Sequence, residues 1–450
     1  MSRQTGAGTR INLHNGVYRE GIDRFIDSSG QLIVIEAVNV GEAIVSGADV
    51  FADWTCSNGL CEHHWPHGWG ADQNPWEGTV RIGELARRRE MVVVDGVNLA
   101  QVLSRGALEP GAFYVDQASS RLIVRPPSGS SLNDSLVEVA VRRHLLRMQG
   151  LSDFVIRGVR FQHAASAFRR AAVEIVDQND VTIEDSWFEW NGQVGLALKG
   201  FRLNIRNTVM NNNGASGIGG FQVGDVLLEE SETSFNNWRG LRGGFTGWDV
   251  GNKIFAAHRV IVRRHTAMHN ESRGLWFDID IVDVVVEDSV LSDNRLDGLF
   301  LEKAQGPIVV RDNTISCNGE SGILTSALND FLLERNRVEF NATGAVKISG
   351  SFDVRFSDFE TGERLLLNNS EWTWRDNVFS VAGRAPLVTT THGESRWRQL
   401  IATSNFEGNR YLAGTAEAFR PPGERLTFSQ WQRSTGQDRR SRFTVIAPGR

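Results

Sequence analysis

The stretch GLWFDIDIVDVVVEDSVLSDNRLDGLFLEKAQGPIVVRDNTISCNGESGILTSALNDFLLERNRVEFN, residues 274–341, decides the fold because it contains one pattern three times. Each repeat opens with a Gly, continues through short strands of alternating apolar residues and closes with an Asn. Gly274, Gly298 and Gly322 follow one another at intervals of 24 residues. A period of this length, carried by β-branched strands with Gly and Asn at the corners, predicts a right-handed parallel β-helix in which each repeat forms one coil.

Two columns of residues continue this repeat towards both ends of the chain. The Asn column comprises Asn191, Asn212, Asn236, Asn270, Asn294, Asn318 and Asn341. The Gly column comprises Gly195, Gly217, Gly240, Gly274, Gly298, Gly322 and Gly344. We interpret the Asn column as scaffold, since stacked Asn side chains satisfy turn amides. Both columns contain one spacing of 34, which predicts an insertion of about 10 residues after Gly240. We expect this loop to carry Arg242, Trp248 and Asp249 out beside the neighbouring coil.

The repeat divides the chain into four parts. Residues 1–49 resemble the opening coils of the same helix. The period is lost over residues 50–136, where strands broken by DG, PG and PPSG turns predict an inserted antiparallel β module of the β-sandwich kind. The helix resumes over residues 137–411, and residues 412–450 are predicted to cap its last coil, because an open stack exposes unpaired strand edges.

Composition excludes several classes of function. The chain has 450 residues, a mean hydropathy of −0.27 and a formal net charge of −6, which argues against a nucleic-acid partner. No apolar run is long enough to cross a bilayer, so we predict no membrane association. Residues 1–10 lack the basic start and apolar core of a secretory signal, so the location stays open between the cytoplasm and secretion of a longer chain. A homo-oligomer is also left open.

Alternation along the Gly-led strands sorts their side chains into two faces. Residues one and three after each Gly point to the same side, and in four coils these are Leu196 with Leu198, Leu275 with Phe277, Leu299 with Leu301, and Ile323 with Thr325. We expect this side to form the core. Residues two and four after the Gly then point outward, and in consecutive coils they place Trp276 beside Phe300 and Asp278 beside Glu302. The aromatic pair predicts an exposed platform of the kind on which sugar rings stack.

The two outward carboxyl groups suggest a chemistry. Adjacent strands lie about 4.8 Å apart, so Asp278 and Glu302 are expected at roughly 5 Å. Retaining glycosidases use two carboxyl groups about 5 to 5.5 Å apart, whereas inverting enzymes need about 6.5 to 9.5 Å. Like charges held this close raise the pKa of one of them, as a general acid requires at neutral pH. We assign that role to Glu302.

The segments GLWFD and GLFLEKAQGPIVVRDN resemble the active-site coils of glycoside hydrolase family 120, β-xylosidases built on a right-handed β-helix with an inserted β-sandwich. The resemblance covers about two coils closely, and the wider layout is similar. It implies that Asp278 is the nucleophile and that Glu302, which Gly-Pro follows shortly, is the acid/base. It also implies a retaining hydrolase acting on a β-linked sugar of an oligosaccharide or polysaccharide, and more finely on a xyloside, without a cofactor.

Further side chains are candidates for binding the substrate around this pair. Trp238 and Arg239 lie one coil before Asp278 in sequence, and we expect Arg242 in the same coil to stabilise the charge of Asp278. The remaining candidates are Trp248, His269, Lys303 and Asp280. The segment CSNGLCEHHWPHGW contains ligand types for zinc, at Cys56, Cys61, His63, His64 and His67, but its spacing fits no zinc pattern, so we predict no metal. Its Cys56 and Cys61 are close enough to pair under oxidising conditions, and we expect Trp65, Trp69 and Trp76 to reach over the substrate face.

Two other functions stay open at this stage. A polysaccharide lyase or epimerase on the same fold needs a basic residue facing a uronate, and Lys303 with Arg242 is the basic pair that the sequence places nearby. A glycan-binding β-helix without catalysis would use Trp276 and Phe300 as its binding stripe.

Overall fold

The protein is described by a computed structural model that covers residues 8–21, 31–150, 152–241 and 251–446. Its main body is a right-handed parallel β-helix, which confirms the predicted fold class. One long sheet of seventeen strands runs along the helix within the described residues. These strands are Thr9–Leu13, Ile33–Ala37, Leu146–Gln149, Ser152–Arg157, Ala171–Glu184, Val194–Arg206, Ser216–Glu229, Lys253–Arg263, Leu275–Glu287, Leu299–Ala304, Ile308–Arg311, Ser321–Glu334, Gly344–Ser349, Ser370–Arg375, Val388–Thr390, Asn405–Glu407 and Phe419–Arg420.

A second wall of the helix closes each coil with a short strand. Its first sheet contains Gly16–Tyr18, Ala43–Ser46, Val159–Gln162 and Trp187–Glu189. Its second sheet contains Thr266–Met268, Val290–Ser292, Thr314–Ser316, Arg337–Glu339, Val378–Val381, Arg410–Ala413 and Arg442–Val445. Single bridges through Val209 and Glu232 connect the two sheets. The core between the walls contains the inward residues that alternation predicted, including Leu275, Phe277 and Leu299.

Two small sheets lie between the opening coils and the rest of the helix. One contains Thr55–Ser57, Leu60–His64, Ala100–Gln101, Ala112–Asp116 and Arg121–Arg125. The other contains Ala48–Val50, Val92–Val94, Val97–Asn98 and Val137–Ala140. They enclose a hydrophobic cluster of their own, with Trp54, Phe113 and Val139 among its members. This separate core supports the proposal that residues 50–136 form an inserted module.

The remaining elements are a hairpin, two α-helices and two short 3-10 turns. A hairpin joins Val354–Ser357 to Arg364–Leu367. The helices Glu394–Ala402 and Phe428–Thr435 bring Trp397 and Trp431 into the core, and neither is long and apolar enough to cross a membrane. Short 3-10 turns occur at Leu85–Arg87 and Arg105–Ala107. The packing of Trp431 supports the proposed cap, although the strand Arg442–Val445 also extends the wall itself by pairing with Arg410–Ala413.

A buried ladder of Asn side chains links seven coils. Each amide nitrogen donates to the amide oxygen of the next member at 2.8–3.1 Å, in the order Asn191, Asn213, Asn236, Asn270, Asn294, Asn318 and Asn341. The prediction that Asn212 belongs to this column is wrong, because Asn213 is the ladder residue of that coil. Asn212 has a φ of 56° and occupies the left-handed corner position directly before the ladder residue. A second ladder, which the sequence analysis missed, joins Asn313, Asn336, Asn377 and Asn409.

The prediction that Gly240 belongs to the Gly column is also wrong. The strand of that coil begins at Lys253, and its register aligns Lys253 with Gly219 and Trp276. The Gly that precedes the strand is therefore Gly251, where a Cβ would come within 2.2 Å of the carbonyl oxygen of Arg273. Gly240 lies in a turn with a φ of 62°. The spacing from Gly240 to Gly274 is 34, and the spacing from Gly217 to Gly251 is also 34. The spacing alone therefore could not show whether Gly240 or Gly251 precedes the strand.

The ladder predicts a large effect of one substitution. Asn213→Ala would remove the ladder partners of the Asn191 backbone amide and of the carbonyl oxygen of Phe188, and it would leave the side-chain oxygen of Asn236 with the backbone amide of residue 213 only. We expect it to lower the free energy of unfolding by about 2 to 4 kcal/mol, measured by urea denaturation. The matched control is Asn204→Ala on the strand Val194–Arg206, outside the ladder and partly exposed, where we expect a loss below about 1 kcal/mol. Equal losses would contradict the role of the ladder.

Candidate active site

Two neighbouring strands of the long sheet carry the candidate catalytic residues. The register of Leu275–Glu287 with Leu299–Ala304 pairs Asp278 with Glu302 and Trp276 with Phe300. The chain therefore brings two carboxyl groups to adjacent strands, which lie about 4.8 Å apart. Asp278 is 4% exposed, and the Glu302 side chain is 14% exposed. Both carboxyl groups are shielded from bulk water. Charges in such a shielded place interact more strongly than charges on an open surface.

The aromatic pair stacks as predicted, but it is not an exposed platform. The rings of Trp276 and Phe300 lie 5.3 Å apart at 27°. Their residues are only 0% and 3% exposed, and with Leu324 they form a hydrophobic cluster separate from the main core. The guanidinium of Arg273 lies over both rings, at 5.0 and 5.1 Å from their centres. Because the rings are covered, they support the carboxyl-bearing strands and offer no open face to a sugar.

Lys253 is the basic residue beside Asp278, and the sequence analysis missed it. Its ammonium nitrogen lies 2.5 Å from Oδ2 of Asp278 and 3.9 Å from the centre of the Trp276 ring. Sequence reasoning took the segment after Gly240 as the preceding strand and therefore expected Arg242 in this place. The apolar alternation of KIFAAHRVIVR, residues 253–263, was the signal that could have identified the correct strand.

The two oxygens of Asp278 have different surroundings. Oδ2 is paired with Lys253, whose positive charge stabilises the carboxylate. Oδ1 is buried and has no hydrogen-bond partner within the described part of the chain. A buried oxygen without a partner is costly unless a ligand satisfies it. The site thus holds one charged carboxylate with a free oxygen.

The surroundings of Glu302 favour its protonated form. Burial, together with the neighbouring charge of Asp278, raises its pKa to about 7, although Lys303 and Lys253 act in the other direction. Lys303 lies 3.6 Å from Oε1 of Glu302, so this predicted residue does belong to the site. Burial also lowers the pKa of Lys253, against the opposing effect of Asp278. Near neutral pH Glu302 can therefore hold a proton beside the ion pair of Asp278 and Lys253.

Asp278 and Lys253 lie at one end of a cavity of about 770 Å³. The cavity follows the outer face of the long sheet over several coils, and we call it the groove. The other described residues that line it are Arg147, Arg169, Arg170, Glu174, Val176, Gln193, Val194, Ala197, Leu198, Lys199, Ala215, Gly219, Gly220, Phe221, Leu241, Phe255 and Ile279. A cavity of this size accepts a molecule larger than one sugar ring.

Several predicted binding residues lie elsewhere. Arg239 is 8% exposed, and its guanidinium donates to the carbonyl oxygens of Gly192 and Glu90 at 2.6 and 2.8 Å. It therefore joins the inserted module to the helix, and burial lowers its pKa to about 10. Trp238 lies beneath it at 4.7 Å and donates to the carbonyl oxygen of Asn212. The prediction that these two residues border Asp278 is wrong, because their coil turns towards the module at this corner.

The remaining candidates are distributed as follows. His269 is an exposed corner residue that stacks on Phe235 at 5.0 Å, and it does not line the groove. Arg242, Trp248 and Asp249 lie outside the described residues. Trp65 is only 1% exposed and belongs to the core of the module, which contradicts its expected place over the substrate face.

The cysteine and histidine segment is part of the module. Cys56 and Cys61 form a disulfide. His63 packs against Phe51 and Trp54, while His67 packs against Trp65 and Trp69. Trp76 contacts a residue that lines the groove, because the guanidinium of Arg169 lies 4.7 Å above its ring.

Asp280 belongs to a separate cluster that could hold a metal ion. One atom each of His258, Asp280 and Asp358 lies within 4.8 Å of the others. The His258 ring, however, already lies between Asp280 and Glu360, with 3.0 Å from each ring nitrogen to a carboxylate oxygen. Although burial opposes it, Asp280 and the other carboxylates raise the pKa of His258. A protonated imidazole that donates to both sides fits this arrangement and holds the hairpin loop against the helix.

The fold and part of the sequence match known proteins. The chain matches the family described as right handed beta helix region over residues 171–338. No curated protein matches it in sequence. Solved structures similar in fold include XylC in complex with xylose, with a TM-score of 0.74 at 14% identity, covering 98% of this chain and 81% of that chain. The A-module of the Azotobacter vinelandii mannuronan C-5 epimerase AlgE4 has a TM-score of 0.52 at 13% identity, covering 98% and 90%. A glycoside hydrolase has a TM-score of 0.52 at 10% identity, covering 96% and 92%. At such identities the likeness establishes the fold.

The buried pair of Lys253 and Asp278 can be tested without an activity assay. Lys253→Met would leave the Asp278 carboxylate buried beside Glu302 without its counter-charge, so we expect the free energy of unfolding at pH 7 to fall by about 3 kcal/mol. The control is Lys199→Met, because Lys199 and Asp177 form a similar pair at 2.7 Å whose side chains are 34% and 46% exposed. There we expect a loss below about 1 kcal/mol. The double variant Lys253→Met/Asp278→Asn should recover most of the stability, and a double variant as unstable as Lys253→Met alone would refute the pairing.

Proposed function

We propose that the protein is a retaining glycoside hydrolase that cleaves a β-linked sugar, with Asp278 as nucleophile and Glu302 as acid/base. The observation that carries this proposal is the unequal pair of carboxyl groups on adjacent strands. Asp278 has a positive partner on one oxygen and a free second oxygen, while the pKa of Glu302 is raised to about 7. Two carboxyl groups about 5 Å apart suit retention, because no room is left for a water molecule behind the sugar.

The first half of the reaction follows from these assignments. Oδ1 of Asp278 attacks the anomeric carbon, while protonated Glu302 gives its proton to the leaving glycosidic oxygen. The carbon–oxygen bond of the leaving group breaks, and a covalent sugar ester forms on Asp278. Lys253 holds the other oxygen of Asp278 and so fixes the direction of the attacking carboxylate.

The second half needs Glu302 as a base, and the same electrostatics provide this change of role. In the covalent ester Asp278 no longer carries a negative charge. One of the causes that raises the pKa of Glu302 is then removed, while the positive charges of Lys303 and Lys253 stay. The pKa of Glu302 falls, and its carboxylate can accept a proton from the water that hydrolyses the ester.

Within this class of β-linked sugars, the substrate that we propose is a xyloside. Its support is the resemblance of GLWFD and GLFLEKAQGPIVVRDN to family 120, together with the similarity in fold to XylC, a protein solved in complex with xylose.

A lyase or epimerase acting on a uronate is the second candidate. The specific observation in its favour is Lys253, a buried lysine whose pKa is lowered and which could remove a proton next to a carboxylate. The fold similarity to a mannuronan C-5 epimerase is compatible with it. Products that absorb as unsaturated uronates, formed by the wild-type enzyme and lost in Lys253→Met, would favour this candidate over hydrolysis.

The nucleophile assignment has a direct test. Incubation with 2-deoxy-2-fluoro aryl xylosides should trap a covalent sugar on Asp278, detectable by mass spectrometry of the peptide that contains it. Asp278→Ala and Glu302→Gln should each lower kcat/KM on the best aryl glycoside by about 10³-fold or more. Asp283→Asn, an exposed carboxylate on the same strand, is the control and should keep the wild-type rate. If both active-site variants kept wild-type rates, the assignment would be refuted, and tight glycan binding without turnover would indicate a binding protein.

The protonation state of Glu302 predicts the pH profile. Glu302 has to be protonated for the first step, and its raised pKa keeps the proton up to about pH 7, so kcat/KM should fall as the pH rises through this value. Lys303→Met removes a charge that lowers the pKa of Glu302, so this alkaline limb should move to higher pH by about 0.5 to 1 unit. Lys347→Met, two coils further on, is the control and should leave the limb in place. A limb that moves equally in both variants would exclude Glu302 as its origin.

A further inference from the structure

The groove extends away from the carboxyl pair in one direction. Asp278 is among the described residues that line it, and Glu302 is not. From the strand of Asp278 the register runs through four more strands, at the positions Trp276, Lys253, Gly219, Ala197 and Glu174. These four steps span about 19 Å at about 4.8 Å a step. A sugar ligand that fills this length has several rings.

Two aromatic rings line the groove beside Asp278. Phe255 pairs with Asp278 in the register and Phe221 pairs with Phe255, so the three residues form one row on successive strands. The rings of Phe221 and Phe255 lie 5.6 Å apart at 28°. Phe221 is 48% exposed, unlike the covered Trp276. The apolar face of a sugar ring can pack on such an exposed ring, two strands or about 10 Å from Asp278.

The floor of the groove is lowered at Gly219, two positions before Phe221 on the same face of the strand. A Cβ added there meets one described atom within 4 Å, a side-chain carbon of Val194 at 3.8 Å. The φ of Gly219 is outside the left-handed region that favours glycine. Glycine weakens a strand, yet neither its backbone conformation nor packing against the described residues requires it here. The missing side chain deepens the groove next to Phe221.

The strand of Asp278 has one extra residue directly after this carboxylate. Ile279 and Asp280 follow it, whereas the neighbouring strands have only Ala256 and only Lys303 at this corner. All four residues have φ values between 50° and 59°. A β-branched residue such as Ile279 is rare in this conformation, because its side chain crowds the backbone. Ile279 lines the groove, so this bulge brings a large apolar side chain to the wall beside Asp278.

The inserted module supports another part of the lining. Ala215 and Leu241 line the groove, and both are buried. They belong to one hydrophobic cluster with Val80, Ile82 and Ala86 of the module. The groove is therefore a concave site that the module packs from behind, and such sites are typical of ligand binding.

The proposed roles of the two carboxyl groups set the direction of a sugar chain in the groove. Asp278 attacks the anomeric carbon, and Glu302, on the next strand, protonates the leaving oxygen. The part of the substrate that contains the anomeric carbon, the glycone, therefore lies on the side of Asp278, and the leaving part lies on the side of Glu302. Because the groove continues from Asp278 away from Glu302, it receives the glycone.

We infer that the groove binds a glycone of several sugar rings, one of them packed on Phe221, so that the protein releases oligosaccharides and not single sugars. This inference rests on the proposed function for the position of the bond that breaks. The chemistry is unchanged, since the leaving oxygen takes the proton of Glu302 and water then releases the oligosaccharide from Asp278, returning a proton to Glu302. An enzyme that removes single sugars would close its site directly beyond Asp278, where this groove continues.

The experiment varies the glycone and keeps the leaving group constant. The probes are the 4-nitrophenyl β-glycosides of xylose, xylobiose and xylotriose, with the matching series of glucose, cellobiose and cellotriose as a second sugar. We expect kcat/KM on the better series to rise by about fivefold or more from the one-sugar to the three-sugar probe, because binding of remote rings stabilises the transition state. Chromatography should show the intact trisaccharide released together with 4-nitrophenol.

Matched variants locate the effect. Phe221→Ala removes the exposed ring and should lower the ratio of kcat/KM between the three-sugar and the one-sugar probe by about fivefold. Gly219→Leu raises the floor and should lower the same ratio. Phe340→Ala removes a ring that is 49% exposed and is not among the described lining residues, so it should leave the ratio unchanged.

Two results would overturn the inference and leave the proposed function intact. One is hydrolysis of the one-sugar probe that is lost in Asp278→Ala, with no gain on the longer probes or with single sugars as the only products. The other is a gain on the longer probes that Phe221→Ala and Gly219→Leu both leave unchanged. If the wild-type protein hydrolysed no probe, the proposed xyloside function and the inference would be overturned together.

Discussion

Each coil of this protein is held in register with the next by buried amide groups that pass hydrogen bonds along the stack. In the first ladder, from Asn191 to Asn341, every amide nitrogen donates to the following coil at 2.8–3.1 Å. A slip of one residue would leave these buried groups unpaired and would turn the core side chains to the outer face. The ladder therefore fixes which outward residues become neighbours.

The candidate active site is a consequence of that register. It pairs Asp278 with Glu302 and places Phe255 beside Asp278. Lys253, one coil earlier, reaches the carboxylate of Asp278. Burial and the neighbouring charge of Asp278 raise the pKa of Glu302 to about 7, whereas Asp278 has a counter-charge in Lys253. The chemistry depends on a rigid scaffold that carries unlike environments on adjacent strands.

The inserted module shapes the far end of the groove. Arg239 of the helix donates into the module at Glu90, and Asp72 of the module accepts from the turn that carries Arg169. The buried network around Arg239 is a structural joint, although in sequence Arg239 looks like a binding residue near the catalytic strand. The disulfide of Cys56 and Cys61 closes a hairpin within the module.

The sequence by itself determined the coil, the two faces of each strand and the pairing of Asp278 with Glu302. In a repeat of this kind, residues one period apart in sequence lie side by side on adjacent coils. Sequence reasoning failed at the insertion, where spacing alone could not show whether Gly240 or Gly251 opened the strand, and so it missed Lys253. Tertiary structure alone decided the burial of Trp276, the separation of Arg239 from Asp278 and the gathering of Arg147, Arg169 and Arg170. These depend on which segments fold over the outer face, and the period of the helix carries no information about that covering.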